Sequence, residues 1–230
     1  MSNTTDQLLS QHIAQLKAEG ANGLEQYEKK LRSNTKNPAV LGDLLLEGRA
    51  ALMFLRNGFR VAMRERPDLQ IELDKEVVGV EVKHFHEKEQ DRVDEKAMLE
   101  ATELLVLIGD LTESEGAPAW TQIANVAIRK ASQYMSDAPN ILIVESSSES
   151  LELMLPSAVH EYDVEVFKSN DPCLRRLNAM MLINTRSIGF RSSARVGSSG
   201  PWNVEFCQTA HATAPLSAKL VSALTNVRLD

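Results

Sequence analysis

Cysteine is nearly missing from this 230-residue chain: Cys173 and Cys207 are the two present. They are too few for a disulfide scaffold, and both read as small apolar residues in a reducing compartment. At this length a folded chain buries roughly 70% of its extended surface, so no covalent or metal staple is required. Aromatic residues are scarce at 5%, and bases are the minority charge, 25 Lys and Arg against 32 Asp and Glu for a net charge of −7. That balance excludes binding of nucleic acid by bulk positive charge; any such contact must come from a local patch. No apolar run approaches the roughly 18 residues of a membrane span, and Met1 to Ser10 is polar, without a signal-peptide pattern. A soluble, unprocessed, cytoplasmic protein without membrane association is the expectation. The sequence also lacks a GxxxxGK phosphate cradle, which argues against a nucleotide-driven motor, and it lacks internal repeats. What is present is 43% hydrophobic and 25% charged residues, enough for one well-buried core and incompatible with disorder.

Apolar spacing sets the expected elements. Leu8, Leu9, Ile13 and Leu16, then Leu24, Tyr27 and Leu31, mark two short amphipathic helices broken near Gly20 to Gly23. They form an N-terminal helical arm over 1–37, ahead of a domain spanning 38–230. Leu41, Leu44, Leu45, Gly48, Leu52 and Leu55 predict a helix over 38–57 that stops at Gly58. A three-stranded meander follows, over 59–64, 69–73 and 77–85. Helices are expected at 92–107 and 119–136, with a strand at 140–145 after Pro139. Asp171 and Pro172 suit the cap and first turn of a helix through Leu182. Strands near 187–196 and 203–207 and a helix over 215–227 complete the chain.

The stretch Pro67 to Lys83, PDLQIELDKEVVGVEVK, carries the chemistry. With a two-residue turn at Asp74 and Lys75, Leu69 faces Val80, Ile71 faces Val78, and Asp68 faces Glu81. Side chains alternate along a strand, so Lys83 shares the face of Glu81, opposite the core contacts. Two carboxylates facing each other repel, and a hard divalent cation removes the conflict. Mg²⁺, with Mn²⁺ as a substitute, suits one or two carboxylates together with substrate phosphate oxygens. Phosphodiester hydrolysis is the implied reaction, with Lys83 supporting the attacking water or the developing charge.

These residues resemble the PD-(D/E)XK, or restriction-endonuclease-like, nuclease superfamily. The resemblance covers 38–146 and implies an α/β fold with an α-βββ-α-β core, a mixed central sheet flanked by helices. N-terminal helices precede that core, and an extension over 147–230 adds C-terminal strands and a helix. The motif falls on Pro67, Asp68, Glu81 and Lys83. An extra acidic metal ligand on the first core helix falls on Glu47, and further active-site polar residues fall on Lys130 and Gln133. By the same resemblance the chain is expected to hydrolyse DNA as a Mg²⁺-dependent nuclease, in restriction, defence, repair or mobile-element function. A homodimer or larger complex is expected. The alternative is a catalytically inactive nuclease-like domain that binds nucleic acid or protein.

Charge is uneven along the chain. Residues 172–204 contain Arg175, Arg176, Arg186, Arg191 and Arg195 and no acid, a candidate surface for a phosphate backbone. His84 and His86 share the face of Val82 without other spaced Cys or His ligands, so they read as packed or strand-end histidines rather than zinc ligands.

Overall fold

In this computed structural model, residues 2–85, 119–146, 155–184 and 203–228 are described. The N-terminal part forms α1 (Ser2–Ala18), α2 (Leu24–Ser33) and α3 (Pro38–Arg56), then strands β1 (Arg60–Met63), β2 (Leu69–Leu73) and β3 (Glu76–Phe85). Next come α4 (Ala119–Lys130), β4 (Asn140–Ser146), α5 (Leu155–Lys168), β5 (Leu177–Asn184), β6 (Asn203–Gln208) and α6 (Ala218–Thr225). The six strands form one mixed sheet in the order β1-β2-β3-β4-β5-β6. β3, β4 and β5 run parallel, and the β1–β2, β2–β3 and β5–β6 pairs are antiparallel.

Local chemistry accounts for the boundaries. Asn37 caps α3, accepting from Val40 N at 3.4 Å, with Pro38 at the first helical position. Asp74 and Lys75 both take positive φ, the geometry of a tight hairpin turn whose twist matches its strands. Leu69 therefore pairs with Val80 and Ile71 with Val78, the register read from the sequence. Ser217, the cap of α6, donates to Glu76 at 2.8 Å and Lys219 pairs with Asp74, so α6 grips this hairpin.

The sheet is buried on both faces. Val78, Val80, Val82, Ile141, Ile143, Ala179, Met181 and Ile183 pack with α1, α2, α3 and α6. Leu142, Val144, Met180 and Leu182 pack with α4 and α5 on the other side. Leu9, Leu16, Tyr27 and Leu31 of the two N-terminal helices belong to the first of these clusters, so 1–37 shares the core of the segments after it. The α1–α2 connection is also tied to the outer edge of β1: Asn22 N donates to Val61 O at 2.9 Å and Met63 N donates to Asn22 O at 2.8 Å. Gly23 has φ of 71°, and a Cβ there would overlap Met63 O.

Three expectations need correction. The helix through Leu182 is instead a single 3-10 turn, Leu174–Arg176, leading into β5. As a strand between β4 and β6 it is apolar on both faces, and its Leu and Met spacing mimics a helical stripe. α5 occupies a segment with no expected element; its buried Leu155, Ala158, Val159, Tyr162 and Val166 follow helical spacing. The helix expected over 119–136 ends at Lys130 and closes with a 3-10 turn, Ala131–Gln133. The expected helix at 92–107 and strand at 187–196 lie outside the described residues.

Candidate active site

β2 begins at Leu69, whereas β3 continues to Phe85. From Glu81 onward β3 has no strand pairing on its β2 side among the described residues, which leaves a notch beside the end of β2. Asp68 closes the top of the notch: its Oδ2 accepts from Val82 N at 2.9 Å, where a strand carbonyl would otherwise stand. A cavity of about 300 Å³ opens here, lined among others by Asp43, Glu47, Asp68, Lys83, Lys130 and Gln133.

Each element contributes in a definite way. Glu81 stands opposite Leu142 of β4 and so projects toward α4, where it is 0% exposed. The face opposite the hairpin's apolar pairs is thus a second buried layer, which corrects the reading that placed it away from core contacts. Lys130, the last residue of α4, brings Nζ to 2.6 Å from Glu81 Oε2 and 3.7 Å from Asp68 Oδ2. Asp43 and Glu47, one turn apart on α3, line the cavity from the other side. Lys83 Nζ lies 3.5 Å from Asp43 Oδ2.

Burial and mutual repulsion shape the electrostatics. Glu81 is raised above the ordinary carboxylate range by burial first and by the Asp68 charge second, with Lys130 opposing. Glu47 is pushed up to about 8, again by burial first, then by Asp68. For Lys130 burial disfavours the charge, but Asp68, Glu81 and Glu47 outweigh it and hold the ammonium above its ordinary value. Glu81 Oε1 is buried and accepts no hydrogen bond from the described residues.

Asp68 and Glu81 are the donors a hard cation would find here, with Lys130 now standing on both. Among the described residues no three His, Cys, Asp or Glu groups converge to enclose an ion, but Asp68 and Glu81 are a carboxylate pair, the number Mg²⁺ takes while keeping waters. Glu81 itself does not line the cavity; it reaches the site from below the surface, through Lys130.

The structure thus brings Asp68, Lys83, Glu47, Lys130 and Gln133 onto one cavity and sets Glu81 behind it, against Lys130. It separates Arg175 and Arg176 from them: these sit at the start of β5, away from the cavity lining, with Arg176 donating to Tyr134 O at 3.4 Å. Arg186, Arg191, Arg195 and His86 lie outside the described residues. Asp43 escaped the sequence reading, although its spacing of four from Glu47 on one helix was the signal. Also missed was a network on the α3 side of the sheet. There the buried Glu145 takes His84 Nδ1 at 2.7 Å and Arg49 at 3.2 Å.

Among the described residues no helix is long and apolar enough to cross a membrane. A scan against protein-family models and searches of curated proteins and of solved structures find no match for the chain.

Proposed function

We propose that this chain is a metal-dependent nuclease of the restriction-endonuclease-like type that hydrolyses DNA phosphodiester bonds. The observation that carries the reading is that Asp68 and Glu81 converge on one ammonium, Lys130, at the point where β2 ends, with Asp68 and Lys83 lining the same cavity. The order helix, three strands, helix, strand over α3 to β4 supports the same reading. The absence of basic excess is compatible with it, since the contact needed is one phosphate at one notch.

Asp68 and Glu81 would hold Mg²⁺, or Mn²⁺ in its place, with Glu47 as an auxiliary ligand. When bound, the ion polarises the phosphoryl oxygen and neutralises charge developing on it. The chain's residues do the rest. Asp68 is oriented toward the notch by the hydrogen bond it accepts from Val82 N. Lys83 offers a cationic Nζ at the cavity rim, where it steadies the attacking water and the negative charge that grows on the phosphoryl oxygens. Burial and Asp68 push Glu47 up to about 8 in the metal-free protein, so it would have to release a proton to serve as a ligand.

A second reading is a nuclease-like domain without catalysis that binds nucleic acid or protein. The position of Lys130 between the two carboxylates favours it, because an internal cation already balances them. Cleavage of supercoiled plasmid, linear duplex, single-stranded DNA and RNA in Mg²⁺ or Mn²⁺ separates the two. The nuclease reading expects cleavage by the wild type that is lost in Asp68→Ala and in Lys83→Ala. A folded wild type inert on every substrate shifts the conclusion to the binding module.

A further inference from the structure

We propose that the Lys130 ammonium is a built-in competitor of the divalent cation, holding the Asp68–Glu81 pair in the metal-free protein and moving into the cavity when an ion takes its place. The inference rests on the metal-dependent reading above and adds to it how the site is loaded.

Lys130 Nζ is within 4 Å of both carboxylates, at 2.6 Å and 3.7 Å. The other lysine of the cavity is engaged elsewhere, with Lys83 at 3.5 Å from Asp43. Lys130 is the last residue of α4, at the negative end of the helix dipole, which favours a cation. Its side chain is 20% exposed and lines the cavity, so its flexible stem has space into which to swing. An ammonium and a divalent ion cannot share Glu81 Oε2 and Asp68 Oδ2, because two cations in a half-buried site repel strongly. Once released, the ammonium faces the cavity beside Arg129, where a phosphate group would stand. Metal entry and readiness for an anionic substrate are then one event, and the free protein holds metal weakly.

The test is calorimetric titration of Mn²⁺ into the full chain, comparing wild type with Lys130→Met and Lys83→Met. Lys130→Met should bind Mn²⁺ at least ~10-fold more tightly than wild type, as removal of a competing charge requires, while Lys83→Met changes affinity by less than ~3-fold. A second readout uses the wild type alone and covers the case in which Lys130→Met does not fold. Pulse acylation with an amine-specific reagent, read by mass spectrometry, should show Mn²⁺ raising modification of Lys130 several-fold relative to Lys83. Equal Mn²⁺ affinity of wild type and Lys130→Met, or unchanged acylation of Lys130 at saturating Mn²⁺, overturns the competitor and leaves the metal-dependent reading standing. Absence of Mn²⁺ binding by both folded proteins overturns that reading and this inference together.

Discussion

His84 and Glu145 stand directly opposite each other on the parallel strands β3 and β4, and their side chains meet at 2.7 Å between Nδ1 and Oε2. Arg49 of α3 reaches the same carboxylate, so a helix and two strands are joined through one buried acid.

The burial is asymmetric, and so is the expected cost of breaking the network. Glu145 is 2% exposed, whereas Arg49 and His84 retain access to water. Glu145→Gln should lower stability by about 1 kcal/mol, since its former partners can be hydrated. Arg49→Ala combined with His84→Ala should cost about 3 kcal/mol, because it strands a carboxylate away from water. Urea midpoints of the two proteins check this, and equal losses would show that Glu145 is better solvated than its burial implies.

Glu47 gives the metal-free protein a pH dependence. Its ordinary value is 4.5 and in the fold it is pushed up to about 8, by burial first and by Asp68 second. Between those values the folded state holds a proton that the unfolded chain has released, so this residue's contribution to stability declines as pH rises and levels off above the folded value. Glu47→Gln should remove that decline and be more stable than wild type near pH 8.5 by about 1–2 kcal/mol, after allowance for partial exposure, with little difference near pH 4.5. Denaturation in the presence of a chelator at both pH values measures the difference. Parallel pH profiles for the two proteins would rule out Glu47 as its source.

At Gly48 of α3 the lack of a side chain is a packing requirement. A Cβ there would overlap His12 Nε2 and the Tyr27 hydroxyl. Tyr27 is buried and donates to Leu44 O at 2.7 Å, so it cannot step aside without losing that bond. Alanine in a helix interior ordinarily gains about 1 kcal/mol over glycine. Here overpacking should reverse the sign, and Gly48→Ala should destabilise by about 2 kcal/mol, with His12→Ala restoring part of the loss. Thermal melting of the single and double variants tests the sign.

Short-range pattern was legible where it was redundant. The hairpin register followed from Leu69, Ile71, Val78 and Val80 alternating about one turn, and the structure pairs them in that way. α3 announced itself through both its leucine stripe and the glycine that follows it, Gly58. β5 did not, because a strand buried on both faces has no alternation, and Leu174, Leu177 and Met181 at spacings of three and four look helical. α5 was overlooked despite a visible helical spacing. At the site, Asp68, Glu81 and Lys83 were nameable because one hairpin holds them. The contact of Lys130 with Glu81 depends on how α4 lies across the sheet, a tertiary fact that no local spacing encodes.

The short bridge at Asn22 bears on how copies of this protein can associate. An open sheet invites extension wherever a terminal strand leaves backbone groups unpaired. At β1, Val61 O and Met63 N are already taken by the chain's own α1–α2 connection, so recruitment of a neighbour's strand at that border would first require the two N-terminal helices to be prised loose from a core they help to form. Strand exchange at the β1 border is thereby coupled to unfolding of the first helices.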